Sequence, residues 1–371
     1  MITVSEIVGK INKLAPPFLA EDWDNIGIQV GNPDMNVNKI GIALDATEKI
    51  VNEAIAKGCQ LLIVHHPLIF NGIKNVHTGN TTGKIITQAI QSNLSIITAH
   101  TNIDHAEGGL NDYLSNLFDL YDVKNLSSRP PLKKFVGYIP ESDFENVRTE
   151  LFNAGAGEFG NYDQVSFSTQ GEGSFRPLEG SKPAKGKQGE RTEVLEYRLE
   201  LIVDERNLDK IISVYYKTHP YEEPVFDIFQ PEQLQGEYLP ARIGLLSDNM
   251  VLSDFAKYVS KRLKLDYVQF AGNQEKEIKK VAIACGSGAD FIKAASRQGA
   301  DVLVTGDIKY HEAQSALESR MALVNAGHYG TEKVFGNLIK DYLNNSSYSS
   351  ADIPDIIKLE GQEPIWQLLT T

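Results

Sequence analysis

Histidines and carboxylates at the ends of apolar runs are the residues of this chain best suited to chemistry. His65 and His66 directly follow Leu61–Val64, an apolar run typical of a buried strand. The ends of strands in an open α/β sheet are where ligands bind. Successive strand residues face opposite ways, so both imidazoles share one cavity only if the chain turns, as Pro67 permits, or if they serve two metal ions. A structural role is the alternative for each histidine.

Two further strand ends carry a histidine followed four residues later by a carboxylate. One pair is His100 with Asp104, and the other is His328 with Glu332. The alternative for Asp104 is a helix or turn cap, and the alternative for Glu332 is a first-turn acid favoured by the helix dipole. The coincidence of these pairs with the adjacent histidines favours one shared site.

Imidazole and carboxylate together suit zinc, iron or manganese. Two carboxylates with three or four histidines exceed what one catalytic zinc usually takes from protein. They suit two ions roughly 3.5–4 Å apart with a bridging ligand, for which Asp104 and Glu332 are the candidates. The pattern therefore predicts two divalent transition-metal ions per chain.

Two other polar clusters have both a functional and a structural interpretation. Gly306–His311 leaves the strand equivalent to the one that ends in the adjacent histidines, so Lys309 and His311 could contact substrate anions or relay protons. An ordinary loop is the equal alternative. Glu21–Gly27 is an acidic, aromatic turn that could line the cavity, but a structural role is favoured.

The elements that must position these residues occur twice in the sequence. Lys39–His66 and Lys280–Asp307 align without a gap. Each passes from an apolar run through a helical segment and a glycine, Gly58 or Gly299, into a second apolar run. Glycine suits a helix C-terminus, where the backbone turns left-handed. This order predicts βαβ units with parallel strands, and hence two similar halves of one α/β domain.

A segment of another kind separates the two halves. The turn-rich stretch Ser127–Pro131 marks its beginning. The following residues predict the order β-α-β-β-α-β, which is the ferredoxin-like pattern, with its first helix at Asp143–Asn153 and its second strand at Gln164–Thr169. We therefore expect the first half of the α/β domain at residues 1–128, a ferredoxin-like α+β insert at 132–230, and the second half at 242–371.

Composition restricts the class of protein. The chain has 36 basic and 49 acidic residues, a net charge of −13, which argues against general binding of nucleic acids or anionic membranes. The sequence shows neither a basic segment followed by an apolar run at its start nor a stretch long enough to span a bilayer, so we expect a cytoplasmic protein. Cys59 and Cys285 lie in apolar surroundings and are expected to be buried free thiols.

Five motifs together resemble the Nif-three-like family, whose members are often labelled GTP cyclohydrolase 1 type 2. The motifs are EDWDNIGIQVG at Glu21–Gly31, HHP at His65–Pro67, HTNID at His100–Asp104, GDIKYH at Gly306–His311 and GHYGTE at Gly327–Glu332. The insert resembles that of longer family members, which is similar to the PII and CutA fold, and HPYEEP at His219–Pro224 fits that type. The tail at Gly361–Trp366 departs from the usual family ending, which puts the last strand in doubt.

The resemblance implies a site and an activity. The family's metal ligands correspond to His65, His66, Asp104, His328 and Glu332. It also implies a dinuclear centre and a ring-shaped homohexamer. The family label implies hydrolytic opening of the guanine imidazole ring of GTP, a small-molecule substrate. The histidines left uncommitted near the cavity, His100 and His311, are then the candidates for general acid–base catalysis.

The type of reaction has alternatives. Two adjacent metal ions are more typical of phosphoester or amide hydrolysis than of ring opening. A metal-dependent hydrolase is therefore the first expectation, with GTP cyclohydrolase activity as its label and phosphoester hydrolysis as an alternative. The other alternative is a metal-binding regulatory or interaction protein without turnover, which the PII-like insert supports by analogy of fold.

Overall fold

The computed structural model describes residues 2–127, 132–159, 162–231, 238–346 and 354–366. The chain divides into two compact units, one of Met1–Leu126 with Tyr238–Thr371 and one of Ser127–Glu237. Cys59 and Cys285 are free and buried, as predicted. Among the described helices, none is both long enough and apolar enough to cross a bilayer.

The helices and strands of the described residues are numbered in chain order. The helices are α1 (Val4–Leu14), α2 (Glu48–Ala56), α3 (Thr81–Gln91), α4 (Thr101–His105), α5 (Leu110–Leu117), α6 (Phe144–Asn153), α7 (Leu208–Thr218), α8 (Leu252–Leu263), α9 (Ile292–Arg297), α10 (Tyr310–Glu318), α11 (His328–Glu332) and α12 (Phe335–Asn345). The strands are β1 (Gly27–Val30), β2 (Lys39–Ala43), β3 (Leu61–Val64), β4 (Ser95–Thr98), β5 (Tyr121–Ser127), β6 (Leu132–Pro140), β7 (Ser166–Phe175), β8 (Thr192–Asp204), β9 (Phe226–Phe229), β10 (Tyr238–Val251), β11 (Gln269–Ala271), β12 (Glu277–Ser287), β13 (Val302–Gly306), β14 (Ala322–Asn325) and β15 (Asp355–Lys358).

The first unit contains two sheets that repeat one arrangement. The described residues form a sheet ordered β1-β4-β3-β2-β15 and another ordered β11-β14-β13-β12-β10-β5. In each sheet three consecutive strands are parallel, β2-β3-β4 or β12-β13-β14, and an antiparallel strand covers the outer edge of the third. The repeat in the sequence thus corresponds to a repeat in the fold.

Two glycines end the equivalent helices as the pattern predicts. Gly58 has φ +73° and Gly299 has φ +74°. Both values lie in the left-handed region, where a residue with a Cβ atom is strained. Each glycine turns the chain from its helix into β3 or β13, so the strand ends that carry the candidate ligands have equivalent positions in the two halves.

The strands of the first unit are apolar on both faces because both faces are covered. In β3, Leu61 and Ile63 belong to a core shared by the two sheets, with α1, α4, α5, α8 and α12. Leu62 and Val64 belong to a separate outer core with α2 and α3. Full burial of one such side chain stabilises the fold by about 1.5–3 kcal/mol. This two-sided packing explains the continuous apolar run of the strand.

The last strand of the chain is present in the first sheet. β15 pairs in parallel with β2, with Ile356 opposite Ile40. Ile356 is buried in the shared core, which is why the strand forms although the tail after it departs from the family pattern. The doubt that this departure placed on the strand was therefore wrong.

The described residues of the second unit form one antiparallel sheet and two α-helices. Its elements follow the order β6-α6-β7-β8-α7-β9, and the described strands form a sheet ordered β7-β8-β6-β9. Apolar side chains of α6 and α7 form its own core with one face of the sheet, including Val147, Ile211 and Tyr215. The Tyr215 hydroxyl is buried in this core and donates to the Val225 carbonyl oxygen at 3.0 Å.

Candidate metal centre

The carboxyl ends of the parallel strands of both sheets carry one cluster of polar side chains. β3 leads into His65 and His66, and β4 leads into His100 and α4, which carries Asp104. In the other half, α11 carries His328 at its first position and Glu332 at its last. The five predicted metal ligands are therefore brought together, and His100 lies with them.

The chain turns at the adjacent histidines. The backbone N–H groups of His65 and His66 both donate to the Leu44 carbonyl oxygen, at 3.1 and 3.0 Å. Two successive N–H groups point the same way only where the extended conformation ends. The two imidazoles consequently lie side by side, with ring centroids 4.9 Å apart.

The helix α11 packs closely against two glycines at the ends of strands in the second sheet. A Cβ atom at Gly306 would lie 2.4 Å from the backbone nitrogen of His328, and one at Gly286 would lie 2.3 Å from Glu332 Oε1. The Thr331 hydroxyl accepts the N–H of Gly286 at 2.9 Å. Glycine at both positions is what lets the Glu332 carboxylate reach the cluster.

The Glu332 carboxylate faces two separate sets of ligand atoms. Its Oε1 atom lies 3.6 Å from His65 Nε2, which in turn lies 3.9 Å from Asp104 Oδ1. Its Oε2 atom lies 3.0 Å from both His66 Nε2 and His328 Nε2. These two nitrogens are 3.4 Å apart. Glu332 is thus the group that both sets share.

Every histidine of the cluster has its Nδ1 atom engaged away from the centre. His65 Nδ1 lies 2.9 Å from the Ala99 carbonyl oxygen. The other three Nδ1 atoms lie within hydrogen-bond distance of carboxylates. These pairs are His66 with Asp45 at 2.8 Å, His100 with Asp24 at 2.8 Å and His328 with Asp307 at 2.7 Å. Metal-binding histidines almost always make such a bond, which turns the Nε2 lone pair toward the metal.

Buried polar atoms and their spacing fit a bound cation. His65 Nε2 and Asp104 Oδ1 are buried and have no hydrogen-bond partner among the described residues. Ligand atoms around one tetrahedral zinc, with bonds of ~2.0–2.1 Å, are spaced by roughly 3.3 Å, and the contacts within the two sets span 3.0–3.9 Å. One ligand atom each from His66, His328 and Glu332 lies within 4.8 Å of the others, and the same holds for His65, His66 and His100. The cluster can therefore hold a metal ion.

Charge in the cluster favours positive species. Burial lowers the pKa of His66, but hydrogen bonds to Asp45 and Glu332 outweigh it and raise that pKa to about 10. The hydrogen bond to Glu332 raises the pKa of His328 to about 9. Burial acts against ionisation of Glu332, yet the neighbouring imidazoles hold its pKa well below the usual range. The raised pKa values of His66 and His328 favour their protonated forms without metal, so a metal ion must compete with protons there.

Nearly the whole chain matches one known protein family. The profile of the family described as Duf34/NIF3 (NGG1p interacting factor 3) matches residues 2–360. The chain belongs to the Duf34/NIF3 family. A relative from Bacillus subtilis (strain 168), called "GTP cyclohydrolase 1 type 2 homolog", is 38% identical over 331 residues, which cover 89% of this chain and 88% of the relative. A relative of the same name from Staphylococcus epidermidis (strain ATCC 35984) is 34% identical over 364 residues, 98% of this chain and 96% of the relative.

Solved structures agree with this assignment. A Bacillus cereus protein related to NIF3 superposes with a TM-score of 0.65 at 33% identity, covering 99% of each chain. The Staphylococcus aureus protein SA1388 superposes with a TM-score of 0.65 at 28% identity, again over 99% of each chain. The mixed α/β fold with several sheets is therefore that of Duf34/NIF3 proteins.

The two histidines predicted for catalysis occupy different surroundings in this Duf34/NIF3 chain. The His100 ring lies 5.1 Å from the His65 ring and 5.6 Å from the His66 ring, and its side chain is 15% exposed. His311 lies exposed in the first turn of α10, where its ring contacts Tyr310 and its Nδ1 atom lies 3.5 Å from Gln314 Oε1. The structure therefore joins His100 to the cluster, and the role of His311 stays a prediction.

Sequence reasoning missed the carboxylates that orient the histidines. Asp24 belongs to the acidic turn for which a structural role was favoured, but its buried carboxylate orients His100. Asp45 follows β2 and Asp307 follows β13, so both stand at strand ends where the same rule could have found them. Gln362 in the tail donates to Asp45 Oδ2 at 2.9 Å. No local signal in the sequence connects that residue with the centre.

A buried amide links the two halves beside the centre. Asn111 Nδ2 donates to the carbonyl oxygens of Asp104 and Pro240, at 3.2 and 3.0 Å. Its Oδ1 atom accepts the N–H of Cys285 at 2.9 Å. Burial raises the pKa of the Cys285 thiol well above its usual value, so the thiol stays protonated. Asn111 thereby ties α4, which carries Asp104, to the second sheet.

Proposed function

We propose that this Duf34/NIF3 protein is a dinuclear metal-dependent hydrolase. The observation that supports the proposal is the position of Glu332, whose two carboxylate oxygens face two different sets of histidine and aspartate atoms. A carboxylate in that position suits the bridge between two ions in a hydrolytic site. Zinc, iron and manganese are the divalent ions whose ligand preferences match this donor set.

The residues divide into two ligand sets in this proposal. His65 and Asp104 would hold one ion, His66 and His328 would hold the other, and Glu332 could contribute to both. Bound there, the two ions would activate water for attack and stabilise the charge that develops on the substrate. Asp45 and Asp307 keep the imidazoles of His66 and His328 in the orientation and tautomer that binding needs.

His100 is the proposed acid–base residue. Its Nδ1 atom donates to Asp24, which leaves its Nε2 atom to accept or return a proton at the centre. Its ring faces those of His65 and His66, and its side chain remains partly open to solvent. A histidine held by a carboxylate in this way is the usual arrangement of a general base.

The substrate proposed first is GTP, with hydrolytic opening of the guanine imidazole ring. The support is the name of the relatives, "GTP cyclohydrolase 1 type 2 homolog". A phosphoester is the second substrate class, because paired ions are typical of phosphoester hydrolysis. We also propose the ferredoxin-like arrangement for residues 132–230. For the assembly we propose a homohexamer, which light scattering on the purified protein would test.

The test of the centre is the metal content of two glutamate variants. We expect wild type to hold close to two transition-metal ions per chain. Glu332→Gln should lose most of that metal, because the amide keeps the shape but not the charge that offsets two dications. Glu312→Gln is the control, since Glu312 lies on α10, where its carboxylate accepts the Lys309 N–H at the helix start and pairs with the Lys309 ammonium. Equal metal content in the two variants would exclude the bridging role.

The test of the reaction compares the two candidate histidines. His100→Ala should keep both ions yet lose about 10²–10⁴-fold in turnover of GTP or of a phosphodiester, since that is the usual contribution of general acid–base catalysis. His311→Ala, assayed in the same way, tests whether His311 also takes part in acid–base catalysis. Loss of metal from His100→Ala would make His100 a ligand instead. Activity that survives unchanged in both variants would end the enzyme proposal.

A pocket in the second unit supports the regulatory alternative. Its volume is about 560 Å³, and its walls include Tyr138, Phe175, Glu196 and Tyr221. The Tyr221 hydroxyl donates to Glu196 Oε1 at 2.8 Å, which fixes both groups in the wall. A pocket of this size accommodates a small molecule. If the protein is regulatory, removal of the second unit should abolish its effect on a partner, whereas hydrolysis by an enzyme should persist.

A further inference from the structure

Two exposed aromatic rings lie next to the candidate metal centre. Trp23 is 57% exposed and Phe70 is 50% exposed, and their ring centroids are 5.6 Å apart. The Trp23 ring also lies 6.0 Å from the His100 ring, at an angle of 74°. Large apolar rings left together at the surface indicate a binding site more often than chance exposure does.

The backbone that carries the indole is held in place by the next residue, Asp24. Asp24 is buried and accepts hydrogen bonds from the Thr101 N–H at 3.1 Å, the Thr101 hydroxyl at 2.5 Å and the Asn25 N–H at 2.8 Å, besides its contact with His100. This carboxylate therefore fixes both the orientation of His100 and the backbone next to Trp23. The backbone at Trp23 therefore cannot move away from the centre without breaking that network.

Polar side chains tie the two aromatic loops together. Asn25 Nδ2 donates to the Ile69 carbonyl oxygen at 2.6 Å, and Gln29 Oε1 accepts the Ile69 N–H at 3.2 Å. Gln29 Nε2 donates to the Asn25 carbonyl oxygen at 2.8 Å. Phe70, which follows directly, is thus held beside Trp23. The planes of the two rings are inclined by 43°, so they do not cover each other's faces.

We propose that Trp23 and Phe70 form a stacking subsite for a planar heteroaromatic ring of the substrate, such as a nucleobase. The inference rests on the proposed function, because it assigns the substrate class of the same site. An uncharged planar ring gains from stacking on an indole whatever its hydrogen-bonding edge. A ring seated on Trp23 lies within reach of His100, which is where a proton donor or acceptor is needed.

The experiment measures binding, and so does not depend on turnover. Trp366→Phe leaves Trp23 as the single tryptophan, since the sequence has two. Metal-loaded full chain carrying this change is titrated with guanosine 5′-monophosphate and with ribose 5-phosphate, which has the phosphate but no base. We expect saturable quenching of Trp23 fluorescence by the nucleotide only. By calorimetry, Trp23→Leu and Phe70→Leu should each weaken nucleotide binding roughly tenfold to a hundredfold.

The control is Trp366→Phe in otherwise unchanged protein, because Trp366 is 84% exposed and lies in the tail. It should leave the affinity for the nucleotide unchanged. Equal affinity for the nucleotide and for ribose 5-phosphate would overturn the inference, as would unchanged nucleotide affinity in both aromatic variants. If Trp23 fluorescence changed with protein concentration and not with nucleotide, the two rings would form a contact between copies of the chain. That result would also overturn the inference. Failure of the hydrolase proposal is recognised separately, as metal-loaded wild type that binds nucleotide without turning over any substrate.

Discussion

Each imidazole of the centre is oriented by one hydrogen bond from its Nδ1 atom to an oxygen atom. His66, His100 and His328 each direct Nδ1 to a carboxylate, and His65 directs Nδ1 to a backbone carbonyl oxygen. Partners of this kind typically contribute about 10–100-fold to metal affinity or activity. The three carboxylates also add negative charge around the cluster, which favours the binding of two dications.

A methyl group at Gly286 should disrupt the centre. Its Cβ atom would lie 2.3 Å from Glu332 Oε1, so Gly286→Ala must displace the shared carboxylate and reduce metal content well below wild type. Gly299→Ala is the matched control. Its φ of +74° is close to the +61° of Gly286, but no atom lies within 4 Å of the added Cβ. Metal analysis of both purified variants checks this, and equal metal content would contradict the assigned position of Glu332.

At the scale of elements, the second unit is attached between two neighbouring strands of the first. β5 ends at Ser127 and β10 begins at Tyr238, and the two strands are adjacent in the sheet. Residues 128–237 can therefore be replaced by a short Gly-Ser link that joins the two neighbouring strands directly.

The deletion of residues 128–237 should leave the metal centre intact. All five proposed ligands and the carboxylates that orient them lie in the first unit, which has its own core. We expect metal content per chain equal to that of the full protein, measured on the folded, purified deletion. A folded deletion that binds no metal would show that the second unit helps to build the centre.

A buried histidine should make the second unit sensitive to acid. His219 Nε2 lies 2.9 Å from the Tyr138 carbonyl oxygen, and its Nδ1 atom accepts the Tyr221 N–H at 3.1 Å. Burial lowers the pKa of His219 below that of an unfolded histidine, about 6.5. At pH values below about 6.5 the folded state then binds fewer protons than the unfolded state. The stability that neutral His219 contributes above about pH 6.5 is therefore lost as the pH falls below that value.

His219→Gln should remove this sensitivity, because an amide can accept and donate at similar positions without titrating. Hydrogen exchange of α7 and β9 at pH 7.5 and pH 5 measures the effect. We expect faster exchange at pH 5 in wild type, after correction for the intrinsic rate, and little change in the variant. The same acid response in both proteins would assign it to other groups.

At the scale of the whole molecule, the centre joins the two sheets of the first unit. One proposed ligand set takes His65 and Asp104 from the first half, and the other combines His66 with His328 from the second. A metal bound only by the folded state stabilises it by about 2.7 kcal/mol at a hundredfold excess over Kd. Metal binding and the stability of the first unit are therefore expected to be coupled.

This stabilisation should grow with pH. Without metal, His66 and His328 have raised pKa values of about 10 and about 9. A raised pKa contributes stability that is complete below the unfolded value, about 6.5, and is lost as pH rises toward the folded value. Bound metal replaces these protons. The difference in Tm between metal-loaded and chelator-stripped protein should therefore increase from pH 6.5 to pH 8.5, and a constant difference would contradict it.

Elements that follow local periodicity, and the candidate ligands at strand ends, could be predicted from the sequence. The pattern predicted a helix at Asp143–Asn153 and a strand at Gln164–Thr169, and the structure has α6 at Phe144–Asn153 and β7 at Ser166–Phe175. The helix follows local periodicity, so its limits were accessible. The strand continues through Gly171 and Gly173 because it pairs with β8 as far as Phe175 opposite Thr192, and that pairing is not local.

Packing between distant segments determines how the strand ends meet. The rule for strand ends placed the ligands at one edge of each half, but it assigned no partner to Asp24, Asp45 or Gln362. Trp23 and Phe70 stand 47 positions apart in the chain, and hydrogen bonds between their loops bring the rings together. Such contacts depend on packing between distant segments, whereas periodicity in the sequence reports only which face of its own element a residue occupies.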